Sequence, residues 1–506
     1  MILSRATLKN IDANLVELPT ENLFDLKEKV LQFGTGVFIR SFADYFIDKA
    51  NKKGVFNGRI VVVKSTSNGD ANEFDQQDGL YTICSKGIEN GVVKESYEIN
   101  AAISRVLVAG SQWDEIIKCA SNPEMKVVIS NTTEVGIQLV EEKITQNAPA
   151  SFPGKMLAFL IARFHAFGGT KESGMIIIPA ELIPDNGTKL KEIIVSLAKY
   201  NNLDAAILQW IEQHNIFCNS LVDRIVSGKP VNGEMGQIEE KLGYNDGLFS
   251  VSELFSLWAI EGNETVRNVL SFSQENKGVV ISDNIDLYRE LKLRLLNGTH
   301  TFNCGLAFLA GFKLTRDAML DGDYGKFASA IMHEDIAAAI PLDIEDSTKA
   351  NYANEVIERF CNPYIDHQWI SITAQYTSKM KMRNLPLIFN YFKKFGKHSE
   401  RMVTGFAGYL LFMKPVKVEN DKYYGVHNGN DYLIADDAAA FYYNSWKSND
   451  VAGLVHASLS NVDMWGTDLT QLDGFELAVT DKLNQLISSD IMEVLNSYQK
   501  NKLELI

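Results

Sequence analysis

The chain has 506 residues, 46% hydrophobic and 22% charged, and its 49 Lys and Arg against 64 Asp and Glu give a formal net charge of −15. At roughly 100 to 200 residues per domain this length holds two or three cores, and the composition excludes disordered, collagenous and coiled-coil classes. The negative balance repels phosphate backbones and anionic lipid, so no nucleic acid and no membrane partner is expected; a local Lys/Arg cluster can still hold an anionic small molecule, because screening acts beyond about 8 Å.

Five dispersed cysteines, Cys84, Cys119, Cys218, Cys304 and Cys361, show no CxxC spacing and read as buried thiols of a reducing compartment. The N-terminal MILSRATLKNID carries no apolar signal core, and no stretch approaches the roughly 18 apolar residues of a membrane span. A cytoplasmic location is the expectation. The eight histidines are scattered without HExxH or Cys/His ligand spacing, so no metal site is expected.

In chain order, VLQFGTG (30–36), RIVVVKSTS (59–67), VVISNTTE (127–134) and GMIIIPAELI (174–183) are short apolar runs ending in Gly, Ser, Thr, Asn or Pro, with longer amphipathic pieces between them. This alternation predicts an α/β chain whose N-terminal domain is a Rossmann-type doubly wound parallel sheet. SGKPVNGEMGQIEEKLGYNDG (227–247), rich in Gly, Asn and charge, reads as a crossing segment. Beyond about residue 250, SVSELFSLWAIEG, IDLYRELKLRLLNGTHTFNCGLAFLAGF, DIAAAI and residues 347–360 read as helices. The expected domains are 1–240, dinucleotide-binding, and 241–506, mainly α-helical and catalytic.

The first strand runs through Gly34 and Gly36 into VFIRSFADYF. Gly34 permits a tight turn, and Gly36 lets the backbone approach a pyrophosphate seated on the N-terminus of the next helix. Ile39 stands where the third glycine of GxGxxG belongs, so the turn alone is equally readable without a ligand. The second strand ends at Lys64, with Asp70 the nearest acid downstream. NAD and NADP therefore both stay open as cofactors, since a lysine can neutralise a 2′-phosphate or simply sit in a solvated loop. Ser130, Asn131, Thr132, Thr133 and Glu134 lie at the carboxyl end of a parallel strand, where they can bond a nicotinamide ribose or cap the next helix.

KLRLLNGTH (292–300) places Lys292, Asn297 and His300 at offsets of five and three. On an α-helix of about 100° per residue the three lie at 0°, about 140° and about 80°, one broad face, with about 12 Å of rise from lysine to histidine. Geometry permits a shared site and equally permits a surface lysine, an Asn-Gly helix end and a core-edge histidine.

This segment resembles the mark of the polyol-specific long-chain dehydrogenases, the mannitol dehydrogenase family, in which lysine, asparagine and histidine are spaced KxxxxNxxH. GTGVFIR is similar to the family's GxGxFxR turn, with Val37, Phe38 and Arg40 in it; NTTE resembles its fourth-strand exit; CNSLVDRI (218–225) is similar to NSMVDRI and brings in Asp223 and Arg224; RFCNPYIDHQWISI and TSKMKMRNLP resemble its RFxNPxIxH and SxK segments. The resemblance implies hydride transfer between a nicotinamide cofactor, NAD, and a sugar-type alcohol or its keto form. It implies Lys292, Asn297 and His300 as catalytic residues: the lysine as acid and base, the asparagine donating to the alkoxide in a contact worth about 3 to 4 kcal/mol, the histidine positioning. PAELIPDNG, IEQHNIFCNSLVDRIVSGKP and YRELKLRLLNGTHTFNCGLAFLAG are most like members acting on sugar acids, so a small-molecule sugar acid is the expected partner. One departure stands out: in place of a DNLPxNG-type segment, Glu181 and Leu182 occupy the Asp-Asn positions, and only Asn186 and Gly187 remain. Asn186, Asp223 and Arg224 are expected at the substrate, and Lys379 and Arg383, four apart, are expected to clamp its carboxylate. A cofactor-binding regulator without catalysis would keep Gly34 and Gly36 but has no use for the Lys, Asn, His set.

Overall fold

Alternation along the four expected strands decides the first architecture. The computed structural model describes residues 1–503 apart from 66–70, 133–134 and 232. The strands are β1 (Lys27–Phe33), β2 (Gly58–Lys64), β3 (Tyr81–Glu89), β4 (Val92–Asn100), β5 (Ile103–Val108), β6 (Val127–Ser130), β7 (Ile176–Pro179) and β8 (Ile216–Phe217). Six of them form one parallel sheet in the order β5-β2-β1-β6-β7-β8. Because successive side chains point to opposite faces, Val30, Ile60, Val62, Val127, Ile129, Ile176 and Ile178 build one core. Leu31, Phe33, Val61, Val63, Val128 and Ile177 build a second on the other face. Each such residue contributes about 1.5–3 kcal/mol by leaving water. The order reverses direction between β1 and β6, and a doubly wound sheet opens its ligand crevice at the carboxyl ends there.

The expected helix SVSELFSLWAIEG is instead β11 (Ser250–Ser252) and β12 (Leu257–Glu261), which follow β9 (Ser220–Asp223) and β10 (Val226–Gly228) and precede β13 (Val279–Ser282). Trp258, Ala259 and Ile260 are fully buried, and a short run apolar on every side is equally readable as helix or strand until its partners are known. β11 joins the sheet β10-β11-β3-β4, and β12 the sheet β13-β12-β9. The segment 227–247 is not a crossing linker either: it carries β10's end and the helix Glu234–Leu242, which buries Ile238 and Leu242. The division into compact units consequently falls after Ile285 rather than near 240: Met1–Gly87 with Val93–Ile285 form one, Asp286–Ile506 with Ile88–Val92 the other.

The second unit is helical as expected, with one addition, the meander β14 (Lys417–Glu419), β15 (Lys422–His427), β16 (Asn430–Leu433). Its centre is the helix Thr299–Leu309 packed on Glu400–Phe412, with Phe302, Leu306, Phe406 and Leu410 fully buried. No described helix is long and apolar enough to cross a membrane.

Candidate active site

The glycine turn is the candidate cofactor site of the first unit. Gly34 has φ +130°, and a Cβ there would lie 2.6 Å from the Asn131 carbonyl oxygen, so strand-exit backbone crowds a position only glycine tolerates. A Cβ on exposed Gly36 would meet no atom within 4 Å. Gly34 is therefore explained by the fold, whereas the backbone at Gly36 stands open at the surface, at the N-terminal end of the helical turn where a dinucleotide's pyrophosphate would approach. Gly36 caps a single helical turn, Val37–Arg40, before the chain restarts as Ala43–Lys52. Phe38 stacks on Phe42 with ring centroids 5.0 Å apart.

Arg40 does not reach outward. It is buried, its Nε donating to Thr35 O (3.3 Å) and its Nη1 to Leu248 O (2.6 Å), so it braces the turn from below. Beneath it lies a buried polar cluster: the Tyr81 hydroxyl, with one hydrogen to give, lies 3.0 Å from Arg40 O and 3.1 Å from Asp44 Oδ2, and Gln32 Nε2 reaches Gly34 O at 3.3 Å. Asp44 Oδ1 and Gln32 Oε1 are both buried without a partner. Burial pushes the Asp44 carboxyl up to about 7, and a proton on it supplies the missing donor.

The other polar residues of this unit are similarly consumed. Asn186, with no exposed surface, donates through Nδ2 to the carbonyls of Pro179, Glu181 and Ser220 and accepts through Oδ1 from Gly187 N and Ser220 N. Both its hydrogens are used, so it ties β7 to β9 and has none left for a substrate oxygen. Arg224 donates to Glu253 O, Ser41 O and Ser85 Oγ and lies over the Tyr45 ring at 4.2 Å. Asp223 is buried at the end of β9, opposite Leu257. Glu181, also buried, accepts from Ser130 Oγ (3.0 Å), Thr132 N (2.9 Å) and Thr132 Oγ1 (3.0 Å), and Asn131 Nδ2 donates to Ala180 O. The β6 exit is thus clasped to the β7 exit. Leu182 beside it is 63% exposed, so the position that departs from the family pattern is the outward one. Lys64 is buried at the end of β2. Thr133, Glu134 and Asp70 lie outside the described residues.

The second unit carries a candidate site of its own, and the geometry there differs from the expected α-helix. Lys292–Gly298 is π-helical, leading without a break into the α-helix Thr299–Leu309. In a π-turn hydrogen bonds run from residue i to i+5 and the backbone is wider than in an α-helix, so residues five apart lie nearer one face than the roughly 140° that separates Lys292 from Asn297 on an α-helical wheel. The carbonyls of Asn297, Gly298 and Thr299 each receive a side-chain donor: Thr301 Oγ1 at 2.8 Å, Asn384 Nδ2 at 3.3 Å and Asn303 Nδ2 at 2.8 Å. A second π-turn, Met380–Asn384, packs against the first, and Arg294 Nη1 donates to Met382 O (2.9 Å) and Arg383 O (2.6 Å).

Lys292 and Asn297 are half-buried, and the Asn297 amide makes no hydrogen bond to any described residue. His300 is buried, stacked on Phe360 at 4.1 Å between ring centroids, with His367 edge-on at 5.1 Å and Trp369 at 5.9 Å. Its Nε2 has no partner. Burial first, then electrostatic interaction with His367, Arg383, Arg359 and Lys379, holds this imidazole well below the usual histidine range, so it is neutral. Lys379 donates to Ile372 O (2.8 Å) and Arg383 Nη1 to Thr301 Oγ1 (3.2 Å). No carboxylate among the described residues lies within ion-pair distance of either. Burial and then the neighbouring Arg383 charge lower the Lys379 ammonium, and burial lowers Arg383. A compact cationic pair beside a neutral imidazole is a site for an anionic group.

Arg294, Thr301 and His367 were not among the residues expected at the site. His367 stood in the RFCNPYIDHQWISI segment without a role, and the signal for the π-turn was the five-residue offset itself. Among the described residues no group of three or more His, Cys, Asp or Glu is placed to hold a metal.

A doubly wound sheet with an open glycine turn, and a helical unit carrying Lys292 and Asn297 on a π-turn and His300 on the α-helix that follows, is the architecture of a two-domain dehydrogenase. Family models agree: the mannitol dehydrogenase Rossmann domain matches residues 28–274 and the mannitol dehydrogenase C-terminal domain residues 284–487. The chain belongs to the mannitol dehydrogenase family and is an oxidoreductase. Curated relatives include an altronate oxidoreductase of Bacillus subtilis, 34% identical over 93% of this chain and 95% of its own. One of Escherichia coli is 35% identical over 92% and 96%. Among solved structures, Pseudomonas fluorescens mannitol 2-dehydrogenase in ternary complex with NAD and D-mannitol superposes with TM-score 0.68 at 23% identity, covering 99% of this chain and 100% of that one. A substrate-free D-sorbitol dehydrogenase reaches TM-score 0.76 at 20% identity, covering 97% and 99%.

Proposed function

We propose that the protein is an NAD-dependent oxidoreductase that interconverts D-tagaturonate and D-altronate in the breakdown of hexuronates, in the cytoplasm. The observation that carries the reaction is that Lys292 and the unbonded Asn297 amide share one π-turn, with a neutral His300 in the first turn of the helix that follows. The substrate class is supported by the uncompensated Lys379–Arg383 pair, which suits a carboxylate, and by the altronate oxidoreductases among the relatives.

When bound, NADH supplies the hydride to the substrate's carbonyl carbon. Negative charge then grows on the carbonyl oxygen, and the ammonium of Lys292 donates a proton to it; in the oxidation direction the neutral amine takes that proton back. Asn297 donates an N–H to the same oxygen, strongest when the charge is greatest. His300, neutral and wedged against Phe360, offers Nε2 to a substrate hydroxyl without adding a charge that would compete with Lys292. Lys379 and Arg383 hold the carboxylate at the far end.

Purified protein assayed for NADH oxidation with D-tagaturonate, D-fructuronate and D-fructose, and with NADPH in place of NADH, tests this. Turnover is expected on D-tagaturonate with NADH. Reduction of D-fructuronate alone would make it a fructuronate reductase, the D-mannonate oxidoreductase reaction; reduction of D-fructose alone, a mannitol-type 2-dehydrogenase; either outcome sinks the proposed substrate.

A further inference from the structure

We infer that Thr301 is a positioning residue that couples capture of the substrate carboxylate at Lys379 and Arg383 to the placement of Asn297 at the reacting oxygen. The inference rests on the sugar-acid reading of this site.

Thr301 is fully buried and belongs to the first turn after the π-segment. Its hydroxyl has one hydrogen to donate. That hydrogen goes to the Asn297 carbonyl at 2.8 Å, so toward Arg383 Nη1, at 3.2 Å, the oxygen can only accept. The hydrogen bonds therefore run one way, from the Arg383 guanidinium through Thr301 to the backbone of Asn297. The bond to Asn297 is the i to i−4 back-bond that a helical threonine makes, as Thr404 makes to Glu400 and Thr480 to Glu476; what sets Thr301 apart is that its oxygen also accepts from a guanidinium carried on another turn.

Arg294 closes the circuit in the opposite sense. It sits within the first π-turn, held by Glu290 at 2.9 Å, and donates to the Met382 and Arg383 carbonyls of the second. The two turns are cross-braced, and neither backbone can shift without breaking a buried hydrogen bond in the other. Two cations side by side repel, and a carboxylate between them removes that repulsion and fixes where the Arg383 guanidinium points. Through Thr301 the fixed guanidinium holds the Asn297 carbonyl, and with it the amide that meets the developing alkoxide. Binding energy from a group remote from the reacting carbon thus appears as rate, which requires an interaction realised in the transition state.

The readout is the kcat ratio between D-tagaturonate and D-tagatose, in which a CH2OH group replaces the carboxylate. In wild type kcat, and not KM alone, should favour the keto-uronate. Thr301→Val keeps the shape and removes the hydroxyl. It should lower kcat on D-tagaturonate by about tenfold or more, the scale of one buried charge-assisted hydrogen bond. It should change kcat on D-tagatose less than about threefold and leave NADH affinity unchanged, while Thr301→Ser should restore the ratio. Arg383→Met should lower the same ratio, and the Thr301→Val/Arg383→Met double variant should be no worse than Arg383→Met, because both break one chain. An unchanged ratio in folded Thr301→Val, equal losses on both substrates, or additive losses in the double variant would overturn the coupling. Should Thr301→Val not fold, Arg383→Met decides: a rise in KM with kcat intact overturns it. Absence of wild-type turnover on any keto-uronate sinks the functional reading instead, a result separate from any of these.

Discussion

The two units treat their polar residues in opposite ways. In the first, Asn186, Arg224, Arg40 and Thr132 stand in motifs that mark function, and the fold consumes their hydrogen-bonding capacity. In the second, the Asn297 amide and His300 Nε2 make no hydrogen bond among the described residues, and no described carboxylate pairs with Lys379 or Arg383. A buried polar group left unpaired is unfavourable by about 1–3 kcal/mol, and a ligand's polar atoms can remove that cost. Motif polarity in the sheet builds a backbone surface, the open face of Gly36, whereas in the helical unit it is held ready for chemistry.

The largest effect expected from this contrast is at Lys292. Lys292→Ala should lower kcat by about 10²–10⁴, the span of general acid–base catalysis, with NADH affinity, read by fluorescence titration, close to wild type. Loss of NADH binding would break the comparison, since the lysine would then be part of the scaffold. The two asparagines come next. Asn297→Ala should lower kcat by about 10²–10³, as for a lost oxyanion donor, with little change in melting temperature. Asn186→Ala should do the reverse, destabilising the protein by about 1–3 kcal/mol or more through its orphaned partners. Equal effects of the two on kcat would erase the distinction.

The glycines sharpen it further. Gly34→Ala forces a side chain into positive φ and against Asn131 O, and should cost about 1–2 kcal/mol or more in stability by denaturant melts. Gly36→Ala should leave stability unchanged and weaken NADH binding. The smallest effect is at Asp44. Its folded carboxyl titrates at about 7 against an ordinary 3.8, so the folded state holds a proton the unfolded chain has released. That contribution is complete below about pH 4 and is lost as pH rises through about 7. Arg40 opposes the shift and Asp48 adds to it. Asp44→Asn should therefore gain in melting temperature over wild type between pH 5 and 8, and a constant offset across that range would contradict the assignment.

The fold class was legible in the sequence because period-two apolar runs can bury both faces only inside a parallel sheet, as Val62 and Val63 do on opposite sides of β2. The domain boundary was not, because LWAIE carries no periodicity and becomes a strand only by pairing with β9 and β13. The candidate set of Lys292, Asn297 and His300 was visible as a spacing, but the π-turn that carries the first two was not, and an α-helical wheel does not describe it.

The amino-acid sequence alone determined which residues are candidates for the chemistry: a lysine, an asparagine and a histidine at fixed offsets, a Gly-Thr-Gly turn, two cations four apart. Tertiary structure decided which of the polar residues remain available. Hydrogen-bond partners come from segments far apart in the chain, so only packing could reveal that Asn186 is consumed at β9 while Asn297 is not. The π-turn likewise depends on donors from Thr301, Asn384 and Arg294, two of which reach between separate turns, and no local pattern encodes that exchange.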